Sequence, residues 1–296
     1  MKKYIKRSKY EMSFPYAFSG NPIQKKMRSP IGTLGDDNKH LLCSIKSTFS
    51  ISVFSIVYIL FLLSQFTFAQ FQSGEKILSD IDKNLSSENR VVVSKMVVHG
   101  QRGSRTIESK SWSIGDEKAF TEYLSPAREK GTKMLKVEDN LWMYSPSTDR
   151  TIKISGHMLR QSVMGSDLSY EDMMDDKKLS EAYDAAVTAE DTIDDRECWV
   201  VDLTAKEKDL AYHFRKLWVD KSRAIPLKEE LIAKSGKLLK MIELKDVEKI
   251  SGRWFPKKMI FKDMLKTGKG TEFIIDSIKF DVHIPAYKFT KASLRK

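Results

Sequence analysis

The side chains best able to carry out chemistry are few and dispersed along this sequence. The histidines lie at positions 40, 99, 157, 213 and 283, and none of them shows the spacing of metal ligands. Cys43 lies near the N-terminus, whereas Cys198 belongs to the apolar run 198–201. A lone cysteine cannot close an internal disulfide within its domain, so we predict that Cys198 is a buried structural thiol.

Known catalytic motifs are missing as well. The sequence contains no HExxH, CxxC or GxSxG motif, and residues 266–271 resemble a phosphate-binding loop only superficially, because Asp263 stands where its first glycine belongs. Asp172, Asp175 and Asp176 form an acidic cluster that either binds a metal or, by default, is a solvated helix face. We therefore predict a protein that is not an enzyme and has no metal or cofactor.

Net charge does not indicate nucleic acid as a partner. The chain carries +11, but residues 1–69 alone carry +7, and the remaining residues mix acids and bases to a net charge of about +4. A mixed-charge, solvated surface is the prediction for that larger part.

Apolar side chains are more informative than charged ones. Aromatic residues and methionines are concentrated between positions 112 and 174. Methionine is flexible and recurs on surfaces that accept variable apolar partners. These side chains either form the core of the domain or line a cavity for an apolar ligand.

Apolar periodicity predicts one helix followed by a long series of strands. Ile77, Leu78, Ile81 and Leu85 share one helical face within residues 73–85. Period-two alternation predicts strands over 91–97, 105–114, 118–124, 132–138, 141–144, 150–155, 186–191, 198–204, 212–219, 227–233, 238–247, 254–264 and 271–280. Residues 156–185 interrupt the series as loops and short helices. The predicted fold class is mainly β (α+β), with an antiparallel meander that curls to protect its edges.

Alternate residues of consecutive strands share one face of a sheet, which gives a candidate ligand-binding surface. The predicted strand residues of this surface are Trp112, Phe120, Leu124, Met134, Trp142, Tyr144, Ile152 and Ile154. Met164 and Tyr170 are predicted to contribute from the segment that crosses the cavity mouth. The sequence leaves open which alternate set points inward. On this prediction, Trp142→Asp impairs lipid binding before it prevents folding.

A candidate lid lies at 164–172. Gly165 suits a tight turn, Ser166 and Asp167 follow it, and Ser169 with Asp172 has the Ser-x-x-acid spacing of a helix N-cap. Two interpretations remain open and are compatible. The motif caps a short helix, or it also fixes a lid, with Asp167 holding the loop and Tyr170 contacting the ligand.

The N-terminal region has the order of a secretory signal. Residues 1–46 are a basic leader that is disordered or results from an early start codon, and residues 47–69 are apolar and uncharged. The small residues Thr67 and Ala69 predict cleavage after Ala69. The alternative is an uncleaved inner-membrane anchor. The remaining domain spans 70–296.

Several motifs resemble one known family. They are SP at 125–126, KGT at 130–132, LWMYSP at 141–146, ISG at 154–156 and MGSDLSYED at 164–172, with weaker matches KLWVD at 216–220, GRWFP at 252–256 and FT at 289–290. This pattern is similar to that of the outer-membrane lipoprotein-sorting family, relatives of the LolA/LolB-type carriers. The resemblance spans almost all of residues 73–296.

The resemblance implies a half-open antiparallel barrel around a helical lid, with an apolar cavity for acyl chains. It also implies a periplasmic location and a partnership with an inner-membrane lipid-handling permease. The predicted function is therefore a periplasmic carrier that moves lipid or lipoprotein acyl chains toward the outer membrane. The alternative is an envelope lipid sensor or an accessory subunit of a lipid-exporting permease.

Overall fold

The computed structural model describes residues 72–100, 103–175, 177–208 and 210–296. The predicted basic leader, the apolar segment 47–69 and the cleavage site after Ala69 lie outside these residues. In the part of the chain that the structure describes, no helix has both the length and the apolar character needed to cross a bilayer.

A single antiparallel sheet of 13 strands forms the described domain. The first six strands are β1 (Asn89–Gly100), β2 (Gly103–Ile114), β3 (Lys118–Ser125), β4 (Lys133–Val137), β5 (Asn140–Ser145) and β6 (Arg150–Ile154). The other seven are β7 (Tyr183–Ile193), β8 (Arg196–Ala205), β9 (Phe214–Asp220), β10 (Pro226–Ile232), β11 (Leu238–Ile250), β12 (Arg253–Asp263) and β13 (Thr271–Phe280). Each predicted strand segment corresponds to one of these strands.

The order of the strands explains how the sheet curls without closing. It runs β6-β5-β4-β3-β2-β1-β13-β12-β11-β10-β9-β8-β7, so β1 pairs with β13 in the middle and β6 and β7 form the two edges. Because β6 and β7 are joined by residues 155–182, the chain must pass from one edge of the sheet to the other. The predicted mainly β fold is confirmed, as a half-open barrel whose connecting segment lies over one face.

Helix α1 (Gly74–Leu85) packs against the β8–β9 part of this face. Its buried Ile77, Leu78 and Ile81 contact a cluster that includes Val201 and Leu217. At Gly74, a Cβ would lie 2.4 Å from the Ala185 carbonyl oxygen, so only glycine allows this close approach of the helix to β7.

A buried carboxylate joins α1 to α2 (Leu179–Ala182). Asp82 accepts hydrogen bonds from the backbone N–H groups of Leu179 and Ser180, at 3.0 and 3.1 Å. The first N–H groups of a helix have no partner within the helix, so this carboxylate satisfies two of them. The contact fixes the end of the connecting segment where it reaches β7.

We call the face covered by α1 and the connecting segment the inner face, and the opposite side the outer face. Residues 282–294, the C-terminal segment, cover part of the outer face with Ile284, Phe289 and Leu294. Their partners there include Phe120 and Leu135. Both faces of the β2–β5 region are therefore buried.

Candidate functional site

The part of the connecting segment over the inner face, residues 156–175, forms a strap. It contains two short 3-10 helices, Gly156–Arg160 and Val163–Gly165. The short helix predicted after Ser169 is wrong, because residues 170–174 form turns. The predicted cap contacts are nevertheless present: the Asp172 carboxylate accepts from the Ser169 N–H at 2.6 Å and from its hydroxyl at 2.8 Å. These bonds close a turn rather than start a helix.

Polar bonds attach the strap to the sheet. Lys136 of β4 donates to the Met174 carbonyl at 3.0 Å, and Arg105 of β2 donates to the Met164 carbonyl. Lys266, in the turn after β12, donates to the Ser166 carbonyl at 2.7 Å. All three bonds use strap carbonyls, so they fix the path of the backbone.

Asp167 makes several hydrogen bonds between the strap and the sheet. Its carboxylate accepts from the Asp263 N–H at 3.0 Å and from the fully buried Thr271 hydroxyl at 2.8 Å. The Asp167 N–H also lies 3.0 Å from that hydroxyl oxygen. Asp167 thus ties the strap to the ends of β12 and β13, the contacts of a residue that holds a loop in place.

The strap and the sheet together form an apolar cluster that we call the methionine layer. Its methionines are Met96, Met134, Met143, Met158, Met164, Met173 and Met174. Two tyrosines point their hydroxyls at sulfur atoms: Tyr123 lies 3.4 Å from the Met134 sulfur and Tyr170 lies 3.6 Å from the Met143 sulfur. Burial raises the pKa of both tyrosines. These phenols therefore stay neutral within an adaptable apolar layer.

The predicted ligand-binding residues divide between the two faces. Met134, Ile154, Met164 and Tyr170 belong to the methionine layer, and Ile152, opposite Met143, is 39% exposed. Trp112, Phe120, Trp142 and Tyr144 pack on the outer face with the C-terminal segment. Leu124 lies at a register shift between β2 and β3 and is 39% exposed.

The expectation that these strand residues share one surface is therefore wrong. The register places Leu135 opposite both Phe120 and Trp142, whereas Met134 is opposite Met143. Neighbours along a strand point to opposite sides. The predicted set combined residues from both sides.

A cavity of about 1100 Å³ opens on the inner face beside the strap. Helix α1, the start of α2, β10 and β11 contribute to its walls, as do Asp175 at the end of the strap and Arg215 of β9. None of the predicted ligand-binding or lid residues lines this cavity. The lining combines charged groups with apolar side chains such as Leu85, Leu179 and Leu244.

A buried ionic cluster forms part of the cavity wall, through Arg215, Glu229 and Asp175. The Arg215 guanidinium donates to Glu229 and to the Tyr183 hydroxyl, each at 2.9 Å, and to Asp175 of the strap. Burial raises the pKa of Glu229, and the neighbouring Asp175 and Asp172 raise it further, while Arg215 opposes this shift. The cluster therefore holds the end of the strap by charge inside the barrel.

A second set of contacts extends this cluster. Asp172 of the strap accepts from Lys240 of β11 and from the Tyr212 hydroxyl, and Lys240 also lies 3.2 Å from the Ser169 hydroxyl. Burial and the adjacent Asp172 raise the pKa of Tyr212.

The sequence analysis did not predict Arg215, Glu229 or Lys240 as site residues. The alternation within β9 could have indicated Arg215, because it occupies the same face of the strand as the buried Leu217 and Val219.

Of the three acids in the predicted cluster, Asp172 and Asp175 are among the described residues and Asp176 lies outside them. Among the described residues, no three His, Cys, Asp or Glu side chains converge as metal ligands. The acids at 172 and 175 are instead neutralised by Lys240 and Arg215. The arrangement is therefore one of structural charge pairing around an apolar layer and a cavity.

Comparisons with known proteins agree on the fold. A family model described as "Uncharacterized protein" matches residues 115–296. No curated protein sequence matches this chain significantly. Among solved structures, a putative outer membrane lipoprotein-sorting protein domain from Vibrio parahaemolyticus is 22% identical with a TM-score of 0.67, covering 75% of this chain and 98% of its own.

Two further solved structures have a similar fold. A DUF1329 family protein from Desulfovibrio piger is 23% identical with a TM-score of 0.67, over 75% of this chain and 97% of its own. A LolA superfamily protein from Nitrosomonas europaea is 24% identical with a TM-score of 0.62, over 75% of this chain and 99% of its own. At these identities the comparison establishes a shared fold.

Proposed function

The chain belongs to the uncharacterized-protein family whose model it matches, and on that premise we propose that it is a carrier of lipid or lipoprotein acyl chains. Its fold is that of the LolA superfamily. In this proposal the protein works in the periplasm and moves its cargo through the envelope toward the outer membrane. An inner-membrane lipid-handling permease is the proposed partner that supplies or receives the cargo.

The methionine layer between the strap and the sheet is the observation that carries this proposal. Methionine side chains are unbranched and polarizable, so they repack around apolar ligands of variable shape. Burial of an acyl chain gains about 0.8 kcal/mol per methylene, or about 11 kcal/mol for roughly fourteen methylenes. That gain is comparable to the 4–15 kcal/mol that association costs, so a largely preformed apolar site is needed for useful affinity.

The strap acts as the lid in this proposal. Hydrogen bonds and ion pairs hold it to the sheet at Asp167, Asp172 and Asp175, and lifting the strap requires each of these bonds to be replaced by a bond to water. When the strap lifts, the methionine layer becomes open to an acyl chain. The cavity then extends past Asp175, and its charged lining suits the polar end of the same lipid.

Removal of the Asp167 anchor tests the lid. Asp167→Ala leaves the buried Thr271 hydroxyl and the Asp263 N–H without their acceptor, at a cost of about 1–3 kcal/mol in unfolding free energy. We expect release of a bound fluorescent fatty acid to become at least fivefold faster. Stopped-flow fluorescence and thermal unfolding, measured on the same samples, separate release from stability.

Asp276→Ala is the matched control, because Asp276 pairs with Lys95 on the exposed surface away from the strap. It is expected to leave the release rate unchanged. If Asp167→Ala and Asp276→Ala release fatty acid at the parent rate, the strap is not a lid. If the parent protein takes up no fatty acid, the carrier function itself is wrong.

A further inference from the structure

The turn that joins β12 to β13 exposes an apolar tip. Residues 264–269 are all exposed, with Met264 at 42% and Leu265 at 60%. Among the described residues, five large hydrophobic side chains are exposed, and these two are the only sequence neighbours among them. Scattered exposed apolar residues are ordinary, but an adjacent pair at a protruding turn marks a contact surface.

Lysines surround this tip. Lys262, Lys266 and Lys269 belong to the same hairpin, and Lys234 and Lys237 lie in the neighbouring β10–β11 turn. The two turns adjoin because the Met264 N–H donates to the Leu239 carbonyl at 2.8 Å. Neither 233–237 nor 264–270 contains an acidic residue, and the adjacent Asp263 forms an ion pair with Lys266 at 3.3 Å, which leaves the lysines in excess. The end of the sheet is therefore apolar at its tip and positively charged around it.

The hairpin itself is firmly built. Lys262 donates to the Gly268 carbonyl and, at 3.3 Å, to the Lys266 carbonyl, which closes the turn from within. Gly270 has φ of +91°, and a Cβ there would lie 2.6 Å from the Phe261 carbonyl oxygen. A non-glycine residue at this position would strain the turn. The exposed pair is thus held outward in a defined geometry.

We propose that this tip docks onto an anionic lipid bilayer. Met264 and Leu265 would enter the interface between headgroups and acyl chains, and Lys234, Lys237, Lys266 and Lys269 would lie at the level of the lipid phosphates. Basic residues beside an inserted apolar group are the combination that binds peripheral proteins to negatively charged membranes. Lysine suits this position because its stem packs against apolar surface while its ammonium reaches the phosphates.

The docking tip is also an anchor of the strap. The Lys266 ammonium donates to the Ser162 hydroxyl at 2.5 Å and to the Ser166 carbonyl at 2.7 Å. Lipid phosphates compete for the same ammonium, so docking weakens one attachment of the strap. This coupling rests on the proposed carrier function, in which strap release admits or delivers the acyl chain, whereas docking itself does not depend on it.

The test places a reporter at the tip of the full chain. Leu265→Trp is compared with Tyr287→Trp, an exposed control on the C-terminal segment where Tyr287 is 66% exposed. Vesicles contain brominated phospholipid, with either phosphatidylcholine alone or a phosphatidylglycerol mixture. We expect bromine to quench the Leu265→Trp emission at least twofold more than the Tyr287→Trp emission, and only with the anionic vesicles.

Charge removal completes the test. Lys237→Gln and Lys269→Gln are each expected to weaken the anionic-vesicle binding that this quenching reports by about fivefold. Equal quenching of the two tryptophan reporters, or equal quenching by neutral and anionic vesicles, overturns the proposal. Fatty-acid uptake, measured on the same proteins, tests the carrier function separately. Uptake of fatty acid without quenching at the tip would contradict the docking site and leave the carrier function standing.

Discussion

Arg215 places a charge among side chains that exclude water. Its side chain is 9% exposed and its strand neighbours Leu217 and Val219 are buried. Such a charge persists in a protein interior only when it is paired and hydrogen bonded, and Glu229, Asp175 and Tyr183 supply those partners. A charged side chain therefore stands here in place of an apolar one, and it fixes the end of the strap to the sheet.

Substitution of this arginine is expected to destabilise the protein strongly. Arg215→Met keeps an unbranched apolar stem, although a shorter one, and leaves Glu229 and Asp175 as uncompensated carboxylates, at a cost of about 3–5 kcal/mol in unfolding free energy. Chemical denaturation measures this loss. Lys95→Met, which removes one partner of an exposed pair, is the control and is expected to leave the denaturation midpoint nearly unchanged. A midpoint for Arg215→Met equal to that of the control would show that the cluster does not hold the fold.

Single residues were predictable where local chemistry decides their contacts. The spacing of Ser169 and Asp172 gave the reciprocal bonds correctly, because those bonds depend on only four residues of chain. The partners of Asp172 beyond the turn, Lys240 and Tyr212, come from strands distant in sequence. Only the folded sheet brings them together, so spacing along the chain gave no indication of them.

At the scale of elements, the strands followed from alternation but their orientation did not. Met134 and Leu135 are 2% and 0% exposed, so neighbours on β4 are both buried. The reason is that the strap covers one side of this strand and the C-terminal segment covers the other. Where both faces are apolar, the usual contrast between core and solvent faces disappears, and the sequence could not show which alternate set lies under the strap.

Two neighbours on β5 test this assignment of faces. Met143→Asp places a carboxylate within the methionine layer and is expected to reduce fatty-acid affinity at least tenfold. Trp142→Asp, one residue away, disturbs the packing of the C-terminal segment and lowers stability, yet is expected to leave affinity in the folded protein within twofold. Fluorescent fatty-acid titration under conditions where both variants are folded measures this difference. A larger loss of affinity in Trp142→Asp than in Met143→Asp would place the ligand on the outer face instead.

At the scale of the whole molecule, the order of the strands determines where a lid can lie. Because β6 and β7 are opposite edges of one sheet, their connection must cross the barrel and is long enough to carry the strap. A meander of consecutive hairpins was evident in the sequence from its regular turns. The pairing of β1 with β13, which brings the two halves together, depends on long-range register that no local pattern contains.

If the inner face holds acyl chains, as we propose, lipids should be recovered by extraction of the natively purified protein. Mass spectrometry of the extract is predicted to show fatty-acyl species in amounts approaching one molecule per protein. Met143→Asp, purified in parallel, is predicted to retain at most a tenth of that amount, while Trp142→Asp retains most of it. Acyl lipid at the level of a purification blank in the parent protein, or equal amounts in the parent and in Met143→Asp, would show that the inner face does not hold acyl chains.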